Sequence, residues 1–173
     1  MIDYRIKNAG DYAQKIGELV SMLEHTRAVT LEEIKDLSEE DLDSVADETS
    51  NTIGALLHHI ASIEYVHQVI SFEGRDINEA EMEQWKTALE LGPEARKIIC
   101  ENPVSYYMNE LAKVREKTLL KFKVINDDWL FEEKKWGNGV PHNNYYLWFH
   151  VMEDEINHRG QIRMLKRMLS GSK

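Results

Sequence analysis

The chain has 173 residues, of which 42% are hydrophobic and 30% charged, and its formal net charge is −10. This composition is typical of a soluble globular protein and argues against a disordered chain. The negative charge argues against binding nucleic acid or an anionic membrane through a general basic surface. No run of about eighteen apolar residues occurs, so we expect no membrane span.

Length and cysteine content indicate the organisation of the chain and its compartment. A chain of this size is most simply one domain, and we predict a single domain over residues 1–173. Cys100 is the only cysteine, so an intrachain disulfide is excluded. An unpaired thiol fits a reducing compartment, and the N-terminal segment lacks the apolar core of a signal peptide. We therefore expect a cytoplasmic protein.

Four long segments have hydrophobic residues at steps of three and four, which predicts four amphipathic helices. Lys and Arg in the third segment are expected to face water. The pattern predicts an all-α four-helix bundle with long connections, whose packing order is left open by the unequal connection lengths. The predicted helices run from about Asp11 to Lys35, Thr52 to Glu73, Pro103 to Asn126, and Asn144 to the end.

The sequence also predicts the structure of the three segments that connect the long helices. Residues 36–51 are acidic and are predicted as a structured connection with a capped turn of helix. Residues 80–91 predict a short helix that Gly92-Pro93 ends. Residues 127–144 predict either a short hairpin or an irregular crossing.

The second predicted helix has a histidine in the middle of its apolar face. His59 belongs to a buried stripe, whereas His58 lies about 100° round the helix and is expected at the surface or an edge. A lone inward histidine also suits a hydrogen-bonded core residue, and that alternative stays open. The stripe consists of Leu56, His59, Ile63, Val66 and Ile70.

The last predicted helix has two polar residues in the middle of its inward stripe. A carboxylate there is costly unless it is paired or bound to a cation. Asp154 and His158 are one turn apart, so both side chains can reach one point. The stripe consists of Val151, Asp154, His158, Ile162, Leu165 and Leu169.

If these two helices are neighbours, His59, Asp154 and His158 form a metal site with two histidines and one carboxylate. Such ligands suit zinc, nickel, manganese and ferrous iron, and three protein ligands leave positions open for water or substrate. A buried ion pair between Asp154 and His158 is the alternative. His150 could replace or join Asp154, and His67 lies two turns beyond His59.

Two motifs resemble signatures of the DinB/YfiT-like superfamily. NTIGALLHHIASIE (residues 51–64) resembles "siGxLLxHiaxxE", and HVMEDEINHRGQI (residues 150–162) resembles "HxxxHExxHRGQ". The resemblance implies a DinB-type four-helix bundle, commonly homodimeric, with a three-histidine metal site. By position the ligands are His59, Asp154 and His158, so an aspartate stands where the family has its middle histidine. Glu155 keeps the acidic residue of the family's HE pair, either as a partner of the ligands or as a surface charge.

The resemblance also implies an activity, because relatives include bacillithiol S-transferases and mycothiol-dependent maleylpyruvate isomerases. It predicts a divalent-metal-dependent enzyme, with zinc or nickel preferred over manganese or iron. The reaction would be thiol-dependent S-transfer to a small electrophilic substrate, with a low-molecular-weight thiol as co-substrate. Two alternatives remain open: a non-catalytic dimeric scaffold or small-molecule binder that has lost its metal through Asp154, and a metal-dependent hydrolase. No catalytic side chain is assigned.

Overall fold

The computed structural model describes residues 2–171, and the side chains of residues 2–169. In chain order the α-helices are α1 (Gln14–Ile34), α2 (Glu39–Asp43), α3 (Ile53–Gln68), α4 (Glu79–Glu90), α5 (Gly92–Ile98), α6 (Val104–Phe122) and α7 (Asn144–Gly171). A π-helical turn, Val69–Glu73, continues α3. Between α6 and α7, a 3₁₀ turn, Asp127–Phe131, is followed by an antiparallel hairpin of β1 (Glu133–Lys135) and β2 (Pro141–Asn143).

The all-α fold and its four long helices are confirmed, and α3 with its π-helical turn covers the predicted second helix. The sequence did not predict α5. Gly92 and Pro93 end α4, as expected, but they also begin α5, because proline is favoured in the first turn of a helix. None of the described helices is long and apolar enough to cross a bilayer.

The four long helices form a bundle in the order α1, α7, α3, α6, since α3 packs against α6 and α7, and α1 packs against the same two. Thr52 starts α3, because its side chain accepts a hydrogen bond from the amide of Ala55. This arrangement makes α3 and α7 neighbours, which the predicted metal site requires.

A layer of buried charges divides the core into two apolar halves. One half surrounds Leu56 and Leu111, and the other surrounds Leu23 and Phe122. The layer between them takes one charged residue from each long helix, and all four residues are buried. We call it the polar layer; it consists of Arg27 (α1), Glu64 (α3), Arg115 (α6) and Glu155 (α7).

The polar layer is closed by direct ion pairs. Glu64 lies 2.9 Å from Arg27 Nη2 and 2.7 Å from Arg115 Nε, and Glu155 lies 3.0 Å from Arg27 Nε. The two arginines balance the two glutamates, which is what lets charges remain in a core. The expectation that the basic residues of α6 face water is therefore wrong at Arg115, because the acidic partners on α3 and α7 draw it inward.

Gly54 allows α3 and α6 to approach closely. A Cβ atom at this position would lie 2.5 Å from the hydroxyl oxygen of Tyr107, so Tyr107 would have to move. We expect Gly54→Ala to lower the free energy of unfolding by about 1–3 kcal/mol, measured by urea denaturation. Gly160→Ala is the control, because nothing lies within 4 Å of a Cβ there. It is expected to raise stability slightly, and equal effects of the two substitutions would contradict the packing argument.

Candidate metal centre

The packing of α3 against α7 brings the three predicted ligands together. Asp154 Oδ1 lies 3.4 Å from His158 Nε2 and 3.7 Å from His59 Nε2. The two imidazole rings are 4.7 Å apart at their centres, and one ligand atom from each of the three residues falls within 4.8 Å of the others. The three side chains are only 10–13% exposed, so bulk water screens them weakly.

The end of α4 sets the orientation of His59. The His59 Nδ1–H donates to the carbonyl oxygen of Ala88 at 2.8 Å; because a carbonyl can only accept, the ring proton is on Nδ1. Ala88 is in the last turn of α4, where carbonyls lack partners within the helix. In a longer helix the amide of Gly92 would donate to the carbonyl of Ala88, but here it donates to Asn51 Oδ1 at 2.8 Å. The lone pair of His59 Nε2 is therefore free to bind a cation.

His158 is oriented by its own helix. Its Nδ1 lies 3.4 Å from Gln161 Oε1, one turn further along α7, which leaves Nε2 toward Asp154. When the ring proton is on Nδ1, two nitrogen lone pairs and a carboxylate oxygen converge. Three acceptors repel one another unless a cation lies among them, either as a proton on one imidazole or as a metal ion.

Asp154 supplies the negative charge of the centre. Burial by itself would raise the pKa of this carboxyl, but contact with His158 and His59, when one of these rings carries a proton toward Asp154, holds its pKa well below the usual range. The carboxylate is therefore ionised at neutral pH. Its second oxygen, Oδ2, is buried and has no hydrogen-bond partner among the described residues.

The observed spacing fits a divalent metal. Ligand atoms around a tetrahedral zinc ion lie roughly 3.3 Å apart, close to the 3.4 and 3.7 Å seen between Asp154 and the histidines. Nitrogen and carboxylate oxygen donors suit zinc and its neighbours in the first transition row. The residues present therefore fit the metal that the resemblance implies.

Three cavities differ in whether their lining includes residues near this centre in the helices. Two of them, of about 680 and 420 Å³, lie beside α1 and involve none of the three residues. A smaller one, of about 190 Å³, is lined by Leu56 and Gln161, which are each one turn from His59 or His158. Of these three cavities, only the smaller one is lined by residues that lie one helical turn from a candidate ligand.

The other histidines have distinct environments. His58 is half-buried, with its ring 5.4 Å from Trp85 and 6.2 Å from Tyr106, which fits the expected edge position and not an open surface position. These aromatic rings cover it because α4 and α6 pack on either side of α3. His67 and His150 lie next to each other, with ring centres 5.4 Å apart.

Glu155 is neither a partner of the ligands nor a surface charge, because it pairs with arginines in the polar layer. The sequence reasoning assigned no role to Glu64 or Arg115. The sequence did contain an indication for Glu64, because Glu64 is the last residue of the first family motif (residues 51–64), about one and a half helical turns after His59. Arg115 has no comparable signal, since its pattern is that of an ordinary surface position on a helix.

Comparisons with known proteins agree on fold and family. A family model described as mycothiol-S-transferase matches residues 18–171, and no curated protein matches the chain. Each of three similar solved structures covers 88% of this chain, and at 15–17% identity they show the fold alone. They are a conserved protein from Enterococcus faecalis (15% identity, 95% of that chain, TM-score 0.67), a protein from Streptococcus pneumoniae (17%, 91%, 0.66) and an uncharacterized protein from Clostridium difficile 630 (17%, 95%, 0.65).

Proposed function

Because the chain belongs to the mycothiol-S-transferase family, we propose that it is a divalent-metal-dependent enzyme that transfers a low-molecular-weight thiol to a small electrophile. The observation that carries the proposal is the convergence of His59 Nε2, Asp154 Oδ1 and His158 Nε2 within 4.8 Å. Two lone pairs and an ionised carboxylate in a nearly buried site need a cation, and three protein ligands leave coordination positions open.

The ligand set guides the choice of metal. We propose zinc or nickel, since two of the three ligands are imidazoles, which suit both ions. Manganese and ferrous iron accept the same residue types and are included in the tests. The hydrogen bond to Ala88 fixes the ring of His59 before metal arrives, which favours binding because the ring has less freedom to lose.

A bound divalent ion lowers the pKa of a thiol or water in its open positions and so supplies a nucleophile at neutral pH. The protein's own contribution is placement and exclusion of water. Asp154 would offset part of the positive charge of the ion, and His59 and His158 would hold it between α3 and α7. Leu56 and Leu165 in the neighbouring cavity give the small electrophile an apolar wall.

The direct test is turnover of a model electrophile, 1-chloro-2,4-dinitrobenzene, with mycothiol, bacillithiol, glutathione and cysteine in turn. In the reaction the sulfur–carbon bond forms, the carbon–chlorine bond breaks, and chloride leaves while the thiol proton goes to solvent. We expect a rate that requires protein, metal and thiol, and that falls about a hundredfold or more in His158→Ala. No rate with any of these thiols and the zinc- or nickel-loaded protein would contradict S-transfer, whereas activity on ester substrates without thiol would favour the hydrolase alternative.

A non-catalytic scaffold or binder is the second candidate, and the same geometry favours it. A proton on one imidazole would also satisfy Asp154, which lies 3.4 Å from His158 and 3.7 Å from His59. This candidate predicts that the parent binds no metal, whereas Asp154→His, which restores the family's third histidine, binds metal. The enzyme proposal expects both to bind it. Homodimerisation stays a prediction from the resemblance, and light scattering of the purified protein tests it.

A further inference from the structure

A second pair of histidines lies along the same helix–helix seam as the first. His67 is two turns beyond His59 on α3, and His150 is two turns before His158 on α7, so antiparallel packing places the pairs at neighbouring levels. The ring centres of His67 and His150 are 5.4 Å apart. Asp154 lies one turn from each histidine of α7 and therefore between the two pairs.

His67 has the protonation pattern of a metal ligand. Its Nδ1–H donates to the carbonyl oxygen of Ile63 at 2.7 Å, so the Nε2 lone pair is free, and no hydrogen bond to Nε2 occurs among the described residues. The residue is 7% exposed. With Nδ1 held by the carbonyl of Ile63, the ring has its remaining lone pair on Nε2, where it can bind a cation.

His150 has matching features at the edge of the same seam. Its Nδ1 lies 3.3 Å from Glu153 Oε2, a contact that leaves its Nε2 available for another ligand. Its side chain is 38% exposed, so the ring has room to rotate. Asp154 Oδ1 faces the first pair, whereas the buried Oδ2 has no partner.

From these observations we propose that His67, His150 and Asp154 form a second divalent-metal site, with Asp154 shared between the two sites. Two imidazoles on one tetrahedral ion have ring centres roughly 5 Å apart, as His67 and His150 do. Among the described residues only the first triad has its ligand atoms within 4.8 Å, so the second site forms after His150 rotates and binds more weakly.

A shared carboxylate explains why position 154 is aspartate. A carboxylate can give one oxygen to each of two ions, as in enzymes with paired metals. An imidazole whose Nδ1 faces its own helix offers a single nitrogen. The substitution that departs from the family pattern thereby adds a second cation site while it keeps the first.

The test is zinc stoichiometry, measured by equilibrium dialysis and elemental analysis across a range of free zinc concentrations. The parent is expected to bind one ion tightly and a second at higher zinc, to about two per chain. His150→Gln and His67→Gln are each expected to keep the first ion and weaken the second about tenfold or more. His150 is partly exposed, so its variant does not depend on repacking the core.

Two further variants and a measurement with cobalt test whether Asp154 is shared between the two sites. Asp154→His is expected to bind one ion and no second, because a neutral imidazole offers a single nitrogen to a metal. His25→Gln, altered on α1 away from the seam, is expected to bind both ions. With cobalt in place of zinc, the second equivalent should weaken the electron paramagnetic resonance signal of the first through spin coupling in the parent but not in His150→Gln.

The inference rests on the proposed function only through Asp154, and the two can fail separately. A parent that saturates at one zinc per chain, or a second equivalent unchanged in His150→Gln, would overturn the second site and leave the first intact. A parent that binds no zinc at all would overturn both.

Discussion

His59→Ala is expected to lower the zinc affinity of the first site about a hundredfold or more, measured by competition with a chromogenic chelator. The substitution removes one of three protein ligands. Substitution of a residue that only contacts a ligand typically weakens metal binding about tenfold to a hundredfold, so the loss of a ligand itself should cost at least as much. Because bound metal stabilises only the folded state, zinc should raise the melting temperature of the parent and leave that of His59→Ala nearly unchanged.

His25→Ala is the matched control for this loss. His25 is also a histidine on a long helix, but its Nδ1 contacts the carbonyl oxygen of Asp3, and it does not belong to the cluster of candidate ligands. Its zinc affinity should equal that of the parent. Equal zinc affinities in the parent and His59→Ala would show that His59 is only a core histidine bonded to Ala88.

Glu64→Gln is expected to destabilise the protein by about 3–5 kcal/mol, because it leaves two buried arginines with one carboxylate between them. Glu64 is fully buried and accepts hydrogen bonds from Arg27, Arg115 and Thr118. Glu24→Gln is the control. Glu24 pairs with the same Arg115 at 3.0 Å, but its side chain is 48% exposed, so its loss should change stability by less than about 1 kcal/mol. Similar urea midpoints for the two variants would contradict the polar layer.

The same carboxylate predicts the acid sensitivity of the fold. Burial would raise the pKa of Glu64, but Arg115 and then Arg27 outweigh it and lower the pKa from 4.5 to about 2. The unfolded chain therefore binds this proton more readily than the folded one, so the contribution to stability is complete above pH 4.5 and is lost as the pH falls toward 2. Glu64→Gln should have a flatter dependence of unfolding free energy on pH in this window, and an unchanged slope would contradict the assignment.

Much of this architecture is visible in the sequence. The steps of three and four predicted all four long helices, and the polar interruptions of two apolar stripes identified His59, Asp154 and His158. The resemblance to the DinB/YfiT-like superfamily is confirmed by the match over residues 18–171. Local periodicity was sufficient here because each stripe lies on one helix and depends on near neighbours in the chain.

The remainder depends on contacts that periodicity does not encode. Arg27 and Glu155 are 128 positions apart in the sequence, and nothing in the local pattern around either residue identifies the other as its partner. The acceptor that orients His59 is a backbone carbonyl, so the identity of Ala88 gives no signal. Its availability follows from where α4 ends and from the contact of Gly92 with Asn51.

The most direct measurement is elemental analysis of tag-free protein, with His158→Ala and His25→Ala prepared in parallel. The account predicts close to one or more equivalents of zinc or nickel per chain in the parent and in His25→Ala, and loss of that metal in His158→Ala. A parent that is empty as purified, and stays empty after incubation with zinc, nickel, manganese and ferrous iron, would contradict it. Asp154 would then be the partner of a protonated histidine in a bundle without a metal.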